Sequence, residues 1–205
     1  MFIWIIFVFS VLFIILFRFF LSQSKKPTGI TGVLMMNLWN PVYLPLVKWS
    51  MSKIKINDGT TILDIGVGNG ASSNFLIQQA DSLSLIGIDF SEAAITQAKK
   101  KYTNKQIQFE LMDVHCLTFD SERFDFVTAF QTHFHWTDLH QAIHEIHRVL
   151  KPNGIAVFAC ETAKINYFLP ELKRTADFQA KMSGFGFVLV DHYGTAKWSL
   201  FIFKK

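Results

Sequence analysis

From Thr61 onward, strand-length apolar runs alternate with helix-like stretches, and no other feature of this chain restricts its fold so strongly. TILDI, LSLIGIDF, IQFELMD, FDFVTAF and GIAVFAC read as strands, separated by the helical patterns ASSNFLIQQA, SEAAITQAKKKY and TDLHQAIHEIHRVL. Such alternation implies right-handed crossovers, parallel neighbours and a sheet covered by helices on both faces. The rhythm then changes. PELKRTADFQAKMSGF reads as a helix, and GFVLVDHY and KWSLFIFKK as two strands joined through Gly194, too close in sequence for a parallel return. The expectation is an α/β fold over residues 57–205: a doubly wound, Rossmann-like, mostly parallel seven-stranded sheet ending in an antiparallel hairpin.

The chain ahead of that region is of another kind. Residues 2–21 are almost wholly hydrophobic, and about twenty residues at ~1.5 Å each make a helix of roughly 30 Å, the thickness of a bilayer's hydrocarbon. Arg18 lies near the far end, where its side chain can snorkel to the headgroups. The run is too long for a signal peptide and lacks a basic start and a small-residue cleavage site. Lys25 and Lys26 follow it, so the positive-inside rule puts the body of the protein in the cytoplasm. The expected organisation is a single transmembrane anchor at 1–22, a linker at 23–32 broken by Pro27, Gly29 and Gly32, a helical flap at 33–56, and the α/β domain. Pro41 and Pro45 predict two short helices in the flap, packed on the domain, over its site or against the membrane.

With 205 residues the chain supports one core and one main site. Its two cysteines, Cys116 and Cys160, lie far apart with no CxxC, which fits a reducing compartment and excludes a disulfide framework. The net charge is +4, with lysine clusters at 25–26, 99–101 and 204–205. No nucleic-acid motif accompanies them, so solubility or attraction to anionic lipid is the reading, and no nucleic-acid partner is expected. His140, His144 and His147 share one helical stripe beside the apolar set Leu139, Ile143, Ile146 and Leu150, but neither an H-E-x-x-H motif nor cysteine partners occur, and no metal is expected. Nothing in the sequence sets the oligomeric state.

In doubly wound sheets, ligands bind beyond the carboxyl ends of the strands, and the first strand-to-helix turn carries glycines. Here that turn is ILDIGVGNG: Gly66 and Gly68 let backbone approach a ligand, and the helix from Ala71 offers free N–H groups. The spacing is not the G-x-G-x-x-G of dinucleotide sites, because the third glycine, Gly70, comes one residue early. Asp64, just ahead of it, suits a ligand with a cationic group better than a pyrophosphate. Asp89, at the end of the second strand and about twenty residues on, can accept both ribose hydroxyls. Asp113, at the end of the third, is placed to accept from an adenine amino group. One ligand accounts for three acids at three successive strand ends.

With ILDIGVGNG, IGIDFS, LMDVHCLTFDSERFDFVTAF and EIHRVLKPNGIAVF in order, the chain resembles the class I S-adenosylmethionine-dependent methyltransferases over about residues 55–205, particularly the small bacterial members related to quinone and sterol methyltransferases. The resemblance implies S-adenosylmethionine as cofactor, with Asp64, Gly66 and Gly68 along its methionine part, Asp89 on the ribose and Phe90 on the adenine. It further implies Asp113 and the Val114 backbone at the adenine edge, and Gln131 beside the sulfonium.

Methyl transfer from a sulfonium is an in-line displacement that needs a general base only if the acceptor is protonated. The segment AFQTHFHWTDLH follows the fourth strand and should face the methyl group. His133 and His135 are the candidates for a proton acceptor, the alternative being that they line the pocket or bond backbone. Glu161, at the end of the fifth strand, is a further candidate for acceptor contact. The stretch from Glu161 to Pro170 is too short for a substrate-capping insertion, which leaves residues 32–56 and HFHW to shape the acceptor pocket. The anchor points to an apolar acceptor in or near the membrane, such as a quinone or lipid headgroup. The competing readings are a membrane-tethered S-adenosylmethionine-binding protein without catalysis and a nicotinamide-dependent oxidoreductase.

Overall fold

The computed structural model describes the backbone of residues 2–26 and 28–205, with every side chain from residue 41 onward and most of those before it. Among the described residues seven strands form one sheet: β1 (Thr61–Ile65), β2 (Ser84–Asp89), β3 (Ile107–Leu111), β4 (Phe124–Phe130), β5 (Leu150–Glu161), β6 (Val188–Gly194) and β7 (Trp198–Lys204). Their order is β3-β2-β1-β4-β5-β7-β6. The first five are mutually parallel, and β7 lies antiparallel between β5 and β6. This is the sheet expected from the alternation, hairpin included. The chain steps outward from β1 to β3 and then returns to β4, so β1 and β4 part at their carboxyl ends and open a crevice there.

Two apolar cores cover the faces of the sheet. One joins Ile143, Ile146, Phe158, Phe178 and Phe203, the other Leu46, Ile62, Leu76, Leu85 and Ile202. The central strands β1 and β4 are buried nearly throughout, as strands covered on both sides must be. The flanking helices are α3 (Ala71–Leu76), α4 (Glu92–Lys101), α5 (Leu139–Val149), α6 (Thr162–Phe168) and α7 (Thr175–Ser183). The α4 N-terminus is capped by Ser91, whose hydroxyl accepts from the Ala94 N–H, and that of α5 by Asp138, which accepts from the Gln141 N–H. His140 and His147, from the histidine stripe, set their rings against Phe185 and Phe187.

The structure departs from expectation in the amino-terminal part. Residues of the predicted linker belong to two helices, α1 (Phe2–Lys25) and α2 (Gly29–Met51), and α2 runs unbroken through Pro41 and Pro45. The two prolines are four residues apart, so the carbonyls they leave without an N–H donor, those of Asn37 and Pro41, fall on one stripe. Asn37, Pro41 and Pro45 are all exposed, where water can satisfy such carbonyls. Leu46, Val47 and Met51 meanwhile bury the other side of α2 in the core, and that burial outweighs the local preference. Along α1, Trp4, Phe9 and Phe13 are exposed. Among the described residues no helix is long and apolar enough to cross a membrane; the expected span at 1–22 includes residues that lie outside them.

Candidate functional site

A cavity of about 410 Å³ opens at the carboxyl ends of β1, β2 and β4, within the usual range of about 300–1,000 Å³ for small-molecule sites. The glycine turn forms its floor. At Gly66, φ is +74° and a Cβ would stand 2.3 Å from Thr132 Oγ1, so no side chain fits where the turn passes under β4's exit. At Gly68, which lines the cavity, φ is +53° and a Cβ would meet nothing within 4 Å, leaving space for a ligand beside the backbone. The turn is tied to β2, because the Gly68 N–H donates to Asp89 Oδ2 at 2.9 Å and the Gly66 N–H to the Ile88 carbonyl at 2.8 Å.

The three acids take different positions. Asp89 lines the cavity, with its carboxyl raised above the ordinary value chiefly by burial, against hydrogen bonds from the Ser91 and Gly68 N–H groups. Each of its oxygens accepts one of those N–H groups. A carboxylate has about four lone-pair sites, more than its backbone donors take up, so acceptor capacity remains for a ribose hydroxyl. Asp113 also lines the cavity. The His115 N–H and ring both go to its Oδ1, which leaves Oδ2 for an amino group. Partial desolvation is outweighed there by these His115 contacts, and the carboxyl is held below its usual value. His115 in turn accepts the Asp138 N–H on Nε2, so its proton sits on Nδ1 and is donated to Asp113. His115 was not singled out by the sequence.

Asp64 does not line the cavity. It was expected to face a cationic ligand, but the structure turns its carboxylate beneath the turn, where Oδ1 accepts from Thr128 Oγ1 at 2.7 Å and Oδ2 from Ser72 and Ser73 Oγ at 2.7 and 2.8 Å. Burial raises its carboxyl above the ordinary value, more than those three bonds lower it. Three hydroxyls from α3 and β4 converge on an oxygen pair that a strand end has already placed in the interior. The acid fastens the turn and α3 to the sheet.

The remaining predicted residues fall into two groups. Phe90, Val114, Gln131 and His135 line the cavity with Gly66 and Gly68. Phe90 is half-exposed beneath the Lys26 ammonium, 5.1 Å from its ring centre. His133 and Glu161 do not line it. His133 is in the core, stacked on Phe178, edge-on to Phe158 and 3.7 Å from Cys160 Sγ. The 3-10 turn His133–His135 sends one histidine to each side. Burial, with His135 nearby, lowers the His133 imidazole to about 4. Glu161 starts α6 and pairs with Lys164 at 2.9 Å.

From α2, Met35, Met36, Tyr43, Leu44 and Val47 form the roof, and Asn69 of the glycine turn donates to Asn37 on that helix at 3.1 Å. Lys164, unmarked in the sequence, reaches Tyr43 Oη at 3.3 Å and Gln131 Oε1 at 3.4 Å.

The sheet order, the glycine turn at its switch point and the carboxylates at the ends of β2 and β3 agree with the class I S-adenosylmethionine-dependent methyltransferase domain that the sequence resembles, and S-adenosylmethionine is the cofactor that resemblance implies. Residues 63–158 match the family described as "Methyltransferase domain". The chain is 26% identical over 116 residues to the uncharacterized methyltransferase YdaC of Bacillus subtilis, covering 57% of this chain and 64% of that one. It is 29% identical over 126 residues to a ubiquinone biosynthesis O-methyltransferase of Coxiella burnetii, covering 60% and 51%. The chain therefore spans about half to two-thirds of the length of these relatives. A solved S-adenosylmethionine-dependent methyltransferase from Aquifex aeolicus shares the fold, with a TM-score of 0.70 at 14% identity over 82% of this chain and 95% of that one.

Proposed function

We propose that the protein transfers a methyl group from S-adenosylmethionine to a small, apolar or membrane-associated acceptor. The observation that carries this reading is one continuous cavity. It runs from Asp113, Phe90 and Asp89, with acceptor capacity left on both carboxylates for a ribose and an amino group, past Gly68 to Gln131, Tyr43 and His135. In that arrangement Asp89 orients the sugar, Asp113 the adenine edge, and the glycine turn the methionine part. The bound cofactor supplies an electrophilic methyl carbon, and the protein's task is to align and desolvate the acceptor against it. His135, on the cavity wall, is the residue within the site to receive a proton from a protonated acceptor.

Calorimetric titration of the full chain in detergent with S-adenosylhomocysteine is expected to give micromolar affinity, about −8 kcal/mol. Asp89→Ala is expected to weaken it about 100-fold, roughly 3 kcal/mol, through loss of the ribose bonds and of the Gly68 tether. Binding of NADH in its place would instead support the oxidoreductase reading. Cofactor binding without turnover on quinone, phenol or lipid acceptors would support a non-catalytic one.

The acceptor and the location rest on further arguments. The exposed aromatic and aliphatic side chains of α1 are far more apolar surface than a soluble helix keeps in water. We read α1 as a membrane anchor, with the catalytic domain on the cytoplasmic side, where Lys25 and Lys26 would stay. The ubiquinone named for one relative supports an apolar ring-bearing acceptor for this chain too. Floated with phosphatidylcholine vesicles, the full chain is expected to stay with the lipid through high salt and alkaline carbonate; release by either would remove the anchor from this reading.

A further inference from the structure

The Gln131 side chain lines the cavity and is fixed in one orientation by its neighbours. Its Oε1 accepts the Glu161 N–H at 3.3 Å and the Lys164 ammonium at 3.4 Å. With both donors on the oxygen, the amide nitrogen must be the other end, and Nε2 is buried without a hydrogen-bond partner. A buried donor left in this way is unfavourable, and the residue bearing it has a φ of +58°, a conformation rare outside glycine. Strain and an unused donor coincide on one cavity residue, as they do where a ligand completes the site.

The surroundings specify what that ligand atom is. Lys164 projects from α6 and places its ammonium 4.6 Å from the ring centre of Tyr43 and 5.2 Å from that of Phe134. Tyr43, Phe130, His135 and Trp136 make the nearby walls planar and largely apolar. Around the ammonium stand Glu161 from β5, Tyr43 from α2 and Cys160, whose thiol burial pushes up to about 12 and so keeps neutral. An amine fits poorly: its single lone pair is the nucleophile and cannot also accept from Nε2. A carboxylate or phosphate asks for several converging donors. A ring hydroxyl fits, because its oxygen can accept from Nε2 and still attack with another lone pair.

Resting on the methyl-transfer reading, we infer that Gln131 is the acceptor-oxygen site, that Lys164 is its positioning residue, and that the acceptor is a phenol or enol methylated on oxygen as its anion. The hydroxyl proton leaves to solvent as the acceptor binds. The oxygen's lone pair then forms the O–C bond while the S–C bond breaks and its electrons return to sulfur, so a phenolate and a sulfonium become a neutral ether and a neutral thioether. No protein base is needed in this sequence.

The test uses the full chain saturated with S-adenosylhomocysteine and titrated with para-nitrophenol, whose phenolate absorbs visibly. Bound phenol is expected to ionise at lower pH than free phenol, with a preference of about tenfold or more for the anion, equal to one unit of its pKa. Lys164→Met should remove most of that preference and Lys164→Arg retain it, while Gln131→Leu should weaken anion binding about tenfold. A cooperative urea transition for each variant shows that it is folded. Phenol that binds neutral, an anion preference unchanged in Lys164→Met, or no phenol binding by a protein that binds S-adenosylhomocysteine would overturn this inference and leave the cofactor reading standing. Failure of S-adenosylhomocysteine to bind the wild type would overturn both.

Discussion

Acidification from neutrality to about pH 4 is expected to cost the protein about 3 kcal/mol of folding stability through His133 alone, and His133→Phe is expected to escape that loss. The imidazole is 1% exposed, enclosed by Phe158, Phe178, Trp136 and Cys160, and burial lowers it to about 4 in the folded chain. In the unfolded chain it titrates near 6.5. Above that value both states hold a neutral ring and the group is indifferent to pH. Between about 6.5 and 4 the unfolded state takes up the proton and the folded state does not, so stability falls as pH falls; below about 4 both are protonated and the loss levels off. Phenylalanine keeps the ring stack and cannot titrate. Urea midpoints at neutral pH should therefore agree within about 1.5 kcal/mol, the usual cost of a swap of similar volume, and diverge below pH 6.5. Parallel decline of the two proteins would show that other groups carry the acid sensitivity. The same burial makes His133 a poor base: it lies behind the cavity wall and stays neutral across the physiological range.

Asp64→Ala is expected to destabilise the protein by about 3 kcal/mol with no cofactor present. The substitution withdraws the acceptor from Thr128, Ser72 and Ser73 at once, in a site that is 1% exposed, and loosens the junction of β1, β4 and α3 under the glycine turn. Chemical denaturation of the ligand-free protein reads the effect directly. An unchanged denaturation midpoint combined with lost S-adenosylhomocysteine binding would make Asp64 a ligand contact in place of a fastening. Weakened binding in proportion to lost stability is the outcome the hydroxyl cage implies.

These two residues show where sequence reasoning stops. Alternating apolar runs and crossover handedness carry the mostly parallel sheet and its closing hairpin, because they depend on spacing alone, while the strand order is visible only in the structure. Asp89 and Gly68 were legible for the same reason, being at a strand end and in a turn whose separation is set by one βαβ unit. Which way a side chain turns from such a position is not local information. Asp64 shares its strand-end location with Asp89, yet Ser72, Ser73 and Thr128 draw it inward. His133 and His135 differ by two residues, and only the short 3-10 turn decides which meets the cavity. Lys164 and Tyr43 lie 121 residues apart, with no motif between them, and meet only because the fold brings α6 up to α2. The prolines do not break α2, because the carbonyls they free, those of Asn37 and Pro41, are on exposed residues, and exposure is not local information either.

Those prolines also give the roof of the cavity its mechanics. Interruption of the backbone ladder at Pro41 and Pro45 makes the middle of α2 more compliant than an ordinary helix of that length. Its carboxyl-terminal half is held by the buried Leu46, Val47 and Met51, while the half bearing Met35 and Met36 is bonded to the glycine turn through Asn37 and Asn69. Compliance there belongs to the roof alone, because Met35 and Met36 lie on one side of the prolines while Asp89 ends a strand of the sheet beneath.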